Sequence, residues 1–122
     1  DALTQRWDGY MTTKDVRTIY RQGHEMGSHT KTHQPIPSMT AEQMHLEISG
    51  SRARLEEMGV HDVLTFAYPF GEFSAATDTA VRWAGYSGSR IVERGFNKKT
   101  TDPYLLKIQA VTSTTTVDQV KA

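Results

Sequence analysis

The residues best suited to chemistry lie in one short stretch, Gly23-His24-Glu25-Met26-Gly27-Ser28-His29-Thr30-Lys31-Thr32-His33-Gln34-Pro35, which holds three of the five histidines. His29 and His33 are four apart. That spacing sets two imidazoles on one side of a helical turn, where both reach one ion at about 2.0–2.1 Å. The chain has no cysteine, so any metal must be held by His, Asp or Glu. The stretch is not an H-E-x-x-H arrangement, because Thr30-Lys31-Thr32 supplies no carboxylate, so a third ligand and a general base must come from elsewhere in the fold. On spacing alone, a surface or hydrogen-bonded histidine pair is the commoner explanation of such a motif. A second stretch, Tyr68-Pro69-Phe70-Gly71, abruptly ends a run of strand formers, and loops at strand ends carry chemistry in α/β proteins.

Helix-like and strand-like segments alternate along the chain without repeats or Gly/Ser linkers, which predicts an α/β fold. Thr12 or Thr13 caps a helix with Val16, Ile19 and Tyr20 on one face, and Gly23 suits its C-terminal turn. A short strand is expected through Glu25-Met26-Gly27-Ser28, bringing His29 to its end. Thr40 with Gln43 forms a capping box for a helix in which Met44, Ile48, Leu55 and Met58 repeat at helical spacing, while Glu42, Arg52 and Glu56 face solvent. Val63 to Tyr68 reads as the strand that feeds Pro69-Phe70-Gly71. Ser74 caps a third helix carrying Ala80, Val81 and Trp83. Tyr86 to Val92 and Leu105 to Val111 read as further strands, and Thr115 or Thr116 starts a last helix.

With 122 residues the chain is one domain of ordinary size. Lys and Arg number 14 and Asp and Glu 14, so there is no positive excess to hold a phosphate backbone, and nucleic acid is excluded as a partner. No apolar run approaches the roughly 20 residues of a membrane span, and Asp1 to Arg6 lacks the layout of a signal peptide.

Read together, G-H-E-M-G-S-H-T-K-T-H, the capped helix M-T-A-E-Q-M-H-L-E-I and the strand end F-A-Y-P-F-G resemble the polysaccharide deacetylase family (the NodB homology domain, carbohydrate esterase family 4), from about Gly9 to Val111. The resemblance implies that residues 1–122 form a single partial domain of a distorted (β/α) barrel. It also implies a divalent transition metal, zinc foremost, held by two histidines and an aspartate, and a water that attacks an N-acetyl carbonyl. His29 and His33 match the metal-binding histidines of H-[ST]-x-x-H-P; Thr30 fills its second place, and Gln34 stands where Pro is usual. Tyr68, Pro69, Phe70 and Gly71 match the motif that forms one wall of the substrate groove. In that motif the residue before the glycine, here Phe70, donates its backbone N–H to the developing oxyanion. The T-F-D-D-G motif, with the base and the aspartate ligand, would lie upstream of Asp1, and L-x-H, with the general-acid histidine, beyond Ala122. Asp8-Gly9 imitates the end of the first motif, but it follows Trp7 rather than a strand and sits too close to His29, so Asp8 is read as loop.

The function so implied is metal-dependent hydrolysis of N-acetyl or O-acetyl groups on a polysaccharide by the complete parent domain, in an extracellular or cell-envelope setting. The edge beside Glu25 to Ser28 would be covered by missing parent segments or by self-association. The alternative is a non-catalytic carbohydrate-binding or metal-binding module derived from that fold. Trp83 and Tyr86 are read as packing residues, His45 and His61 as solvated, His24 as strand packing, Glu72 as solvated loop, and Asp102 carries no assigned role.

Overall fold

A computed structural model describes residues 9–121, so Asp8 lies outside the described residues. The chain runs α1 (Thr13–Arg21), α2 (Ala41–Glu57), β1 (Thr65–Ala67), a 3-10 turn (Pro69–Gly71), α3 (Ala75–Trp83), β2 (Gly88–Arg94), β3 (Leu106–Ile108) and α4 (Val117–Lys121). The three strands are all parallel in the order β1-β2-β3. Helices and a parallel sheet make up the chain, as the segment pattern predicts, but the alternation is not strict: among the described residues no strand separates α1 from α2 and no helix separates β2 from β3.

Helix starts follow local chemistry. Thr12, Thr40 and Ser74 each accept from the backbone N–H three residues on, while Asp15, Gln43 and Thr77 reach back to the cap amide, closing three capping boxes. The expected face of α1 is inward: Val16 is buried, and Tyr20 turns its hydroxyl to Asp62 at 2.9 Å. The stripe of α2 buries Met44 and Ile48 against the sheet, where Phe66 and Tyr86 complete the core.

Strands depart further from expectation. Glu25 to Ser28 does not form a strand; it contributes one parallel pairing, Ser28 with Phe66. Gly27 gives no side chain to pack, and a β-carbon there would meet Thr65 Oγ1 at 2.8 Å, so this segment lies close against β1 rather than extending a ladder. His24 is exposed and takes no part in strand packing. β1 is three residues long because Val63 drops into the core and Pro69 has no N–H to continue the ladder. β2 starts at Gly88 rather than Tyr86 and runs on to Arg94, with an irregular register to β3 between Arg90 and Arg94. β3 is confined to three residues.

Two side chains contradict their expected environments. Trp83 is 88% exposed at the end of α3, bordering an apolar groove against α2, whereas Tyr86 is buried as expected. Arg52 is only partly solvated: its Nη1 donates to Ala84 O at 2.7 Å and its guanidinium lies 5.6 Å from the Tyr86 ring centroid, pinning α2 to the end of α3.

Ile48 is fully buried and its carbonyl accepts the Tyr86 hydroxyl at 2.8 Å. Ile48→Ala is therefore expected to cost about 2–5 kcal/mol. Urea unfolding should show a lower midpoint at unchanged slope.

Candidate metal and acyl-binding site

Residue 28 is where the site begins. Its N–H donates to Thr65 O and its carbonyl accepts from Ala67 N–H, both at 2.9 Å, which fixes the chain alongside β1. His29 follows at once, and its Nδ1 lies 2.7 Å from Ala67 O. A carbonyl only accepts, so Nδ1 carries the proton and the Nε2 lone pair is left for a ligand, the tautomer that metal-bound histidines use. His33 comes back over His29, with ring centroids 4.8 Å apart in an edge-on arrangement. On its other side His33 meets Phe70 at 4.9 Å. Two stretches nearly forty residues apart are thus brought to one place.

The backbone at this place is unusual. Among the described residues the non-glycine positions with positive φ are Thr30 (68°), His33 (58°) and Phe70 (59°), and all belong to the site. Each such residue costs on the order of 1–3 kcal/mol and persists only where its surroundings hold it. Thr30 Oγ1 receives the His33 N–H at 3.1 Å. Glu47, from α2, accepts Lys31 N–H at 2.8 Å, Thr32 N–H at 3.0 Å and the Thr32 hydroxyl at 2.6 Å. After Phe70, Gly71 has φ +68° and packs so closely on β2 that a β-carbon would come within 2.8 Å of Val92 N.

Of the expected site residues, His29, His33 and Phe70 converge, and Gly71 shapes the turn beside them. Tyr68 does not face a groove: its ring is 1% exposed, edge-on to Phe66 at 5.4 Å, and burial pushes its phenol above the usual range. The alternation of β1 sends Phe66 and Tyr68 into the core, leaving Tyr68 only its backbone for the site. Pro69 is likewise buried, whereas Phe70 is 57% exposed. Glu72 and His45 are exposed. Both Asp102 oxygens accept from Arg82 Nη2, and Oδ1 also accepts the Tyr104 N–H, so Asp102 belongs to the α3 end of the fold. Glu47 was not singled out by sequence reasoning; the one local signal is that its helix stripe, Glu47-Gly50-Ser51, interrupts the apolar run with small and polar residues.

A cleft of about 370 Å³ opens beside His29, bordered by Glu25, Thr65, Ala67 and Arg90. No cluster of three or more His, Asp or Glu side chains that could hold a metal ion exists among the described residues.

Comparison with known proteins bears on family and fold. The polysaccharide deacetylase family profile matches residues 2–89. The chain belongs to the polysaccharide deacetylase family. A polysaccharide deacetylase from Bacillus cereus superposes with a TM-score of 0.78 at 29% identity, over 93% of this chain and 36% of that one. A deacetylase from Streptococcus pyogenes, solved in complex with acetate, gives a TM-score of 0.88 at 16% identity over 98% of this chain and 53% of that one, a likeness of fold. A gellan lyase from Bacillus sp is 41% identical over 56 residues, 45% of this chain and 2% of that protein. The chain therefore spans about a third to a half of the solved deacetylases, and a small part of the lyase.

Two predictions follow from the geometry. Gly71→Ala should destabilise the chain by about 1–3 kcal/mol, because φ is positive there and Val92 leaves no room; thermal unfolding measures the loss. For Glu47, burial alone would raise the carboxyl pKa, but the bonds from Thr32 and the Lys31 amide, with the Lys31 charge, outweigh it and hold it below the ordinary 4.5. Its contribution to stability is therefore full above that ordinary value and is lost as pH falls through the lower folded one. Acid unfolding curves should show this component in the native chain and lack it in Glu47→Gln.

Proposed function

We propose that the chain supplies two metal ligands and one wall of the substrate groove to a deacetylase that hydrolyses N-acetyl, or O-acetyl, groups on a polysaccharide. The observation that carries this reading is the convergence of His29, His33 and Phe70 within 5 Å ring-to-ring steps. The donor chemistry fits a divalent transition metal, zinc foremost: His29 has its Nδ1 proton engaged and Nε2 free, and His33 stands beside it. An aspartate from outside the described residues would complete the set. When bound, such an ion polarises the acetyl carbonyl and lowers the pKa of a coordinated water toward neutrality.

The chain's own groups do the rest of what it contributes. The turn amides of Gly71 and Glu72 are used internally, donating to Tyr68 O at 2.9 Å and Pro69 O at 3.1 Å. The Phe70 N–H has no partner among the described residues, and it is the donor we assign to the oxyanion of the tetrahedral intermediate. The exposed Phe70 ring beside His33 offers an apolar face to a sugar ring. Two carboxylates near the histidines are already engaged: Glu25 accepts from Thr65 Oγ1 at 2.8 Å and Glu47 holds the turn. The base and the acid for the leaving amine belong to flanking segments, in a distorted barrel whose further strands continue from the Glu25–Ser28 edge; the same edge in the isolated chain favours self-association. An acetylated polymer as substrate would go with a setting outside the cell or in its envelope.

The competing reading is a non-catalytic carbohydrate-binding or metal-binding module derived from the same fold. Acetate release from N-acetylglucosamine oligomers, with zinc or cobalt present, separates the two. The chain joined to segments carrying the D-D-G and L-x-H motifs should turn over, and His29→Ala or His33→Ala should abolish turnover. The chain alone should fall short by at least the ~10²–10⁴-fold that general acid–base assistance supplies. Oligomer binding without acetate release by the extended polypeptide would sink the enzymatic reading.

A further inference from the structure

The geometry points to Glu47 as a positioning residue for the histidine pair, acting through the turn that carries His29 and His33; its importance for metal binding rests on the reading given above. Glu47, Gly50 and Ser51 lie at i, i+3 and i+4 of α2 and so share one stripe of the helix. That stripe meets the histidine-bearing segment at successive points. Ser51 Oγ pairs with Ser28 Oγ at 2.5 Å, both residues being buried, just before His29. The bare α-carbon of Gly50 makes room for the Lys31 stem, whose Cδ lies 3.1 Å from where a β-carbon would sit. Glu47 then takes the Lys31 and Thr32 amides on one carboxylate oxygen and the Thr32 hydroxyl on the other, just before His33.

Successive backbone N–H groups that converge on one anion form a concave nest, and this turn holds an anion from its own chain. The nest is flanked by the two strained residues of the turn, Thr30 and His33, whose positive φ angles bring the His33 ring back over His29. Without the carboxylate the Lys31 and Thr32 amides lose their partner in the fold, and the turn is free to relax toward ordinary φ values. The histidines would then part, although neither touches Glu47. What the turn needs is acceptor geometry: a glutamine amide oxygen can still take both N–H groups, with its NH₂ facing the rotatable Thr32 hydroxyl.

The test uses the full 122-residue chain as Glu47→Ala, Glu47→Gln and Thr40→Ala, the last removing the cap of the same helix without touching the turn. Two readouts are taken: without metal, the nuclear Overhauser contact between the His29 and His33 rings; with metal, cobalt(II) binding followed by its visible absorption. Glu47→Ala is expected to lose the ring contact and to weaken cobalt binding by roughly 10–100-fold, the range for losing a group that orients a ligand. Glu47→Gln should keep the contact and most of the affinity, and Thr40→Ala should match the native chain in both. An intact ring contact in Glu47→Ala, or an equal loss in Thr40→Ala, overturns the assignment. A native chain that shows the ring contact yet binds no cobalt rejects the metal reading instead, and the ring contact alone then decides the role of Glu47.

Discussion

Two backbone hydrogen bonds made by Ser28 to β1 set the frame on which the site depends. They fix the height of His29 relative to Ala67, whose carbonyl then holds the imidazole in one tautomer. β1 leads within a residue into the turn bearing Phe70, so the same ladder that places the first histidine also places the ring that His33 meets. A slip of the pairing by one residue would send His29 away from Ala67 and Phe66 out of the core together. Packing and site are thus specified by one register.

Strain is concentrated where this frame is tightest. Thr30, His33 and Phe70 all adopt the left-handed conformation that side chains other than glycine avoid, and each is held by a different neighbour: its own hydroxyl bond to His33 N–H, the turn fixed on α2, and the contact of Gly71 with Val92. The cost is offset by groups outside the turns themselves, chiefly the buried face of α2 with Ile48, which anchors the helix that presents Glu47. The second ring of support around the histidines therefore derives its rigidity from ordinary core packing.

Most of the helical part of the fold is legible in the sequence because helix signals are local. Thr40 and Gln43 are three residues apart and close their box whatever else the chain does. Strands are less legible, since parallel pairing is decided by distant partners: Glu25 to Ser28 reads as a strand but finds one pairing, and Val63 to Tyr68 shortens to three residues. Trp83 has the type of a core residue, yet it comes at the last position of α3, past the buried turn of Val81. The histidine pair is legible from spacing and family likeness. Glu47 is not, because a glutamate in the middle of a helix resembles any solvated one, and its partners lie fifteen and sixteen positions away.

The assigned oxyanion donor at residue 70 belongs to the main chain, and that shapes how the site responds to variation. Nearly every side chain brings the same N–H, and a glycine there relaxes the left-handed backbone while keeping the donor in place. Residue identity at this position is thus uncoupled from the proposed donor, and only proline, which has no N–H, removes it outright. Scanning substitutions along the turn would rank Phe70 as replaceable and its silent neighbour Gly71 as essential, the reverse of their chemical importance. An evolving lineage is accordingly free to exchange the ring at residue 70 without rebuilding the backbone turn beneath it.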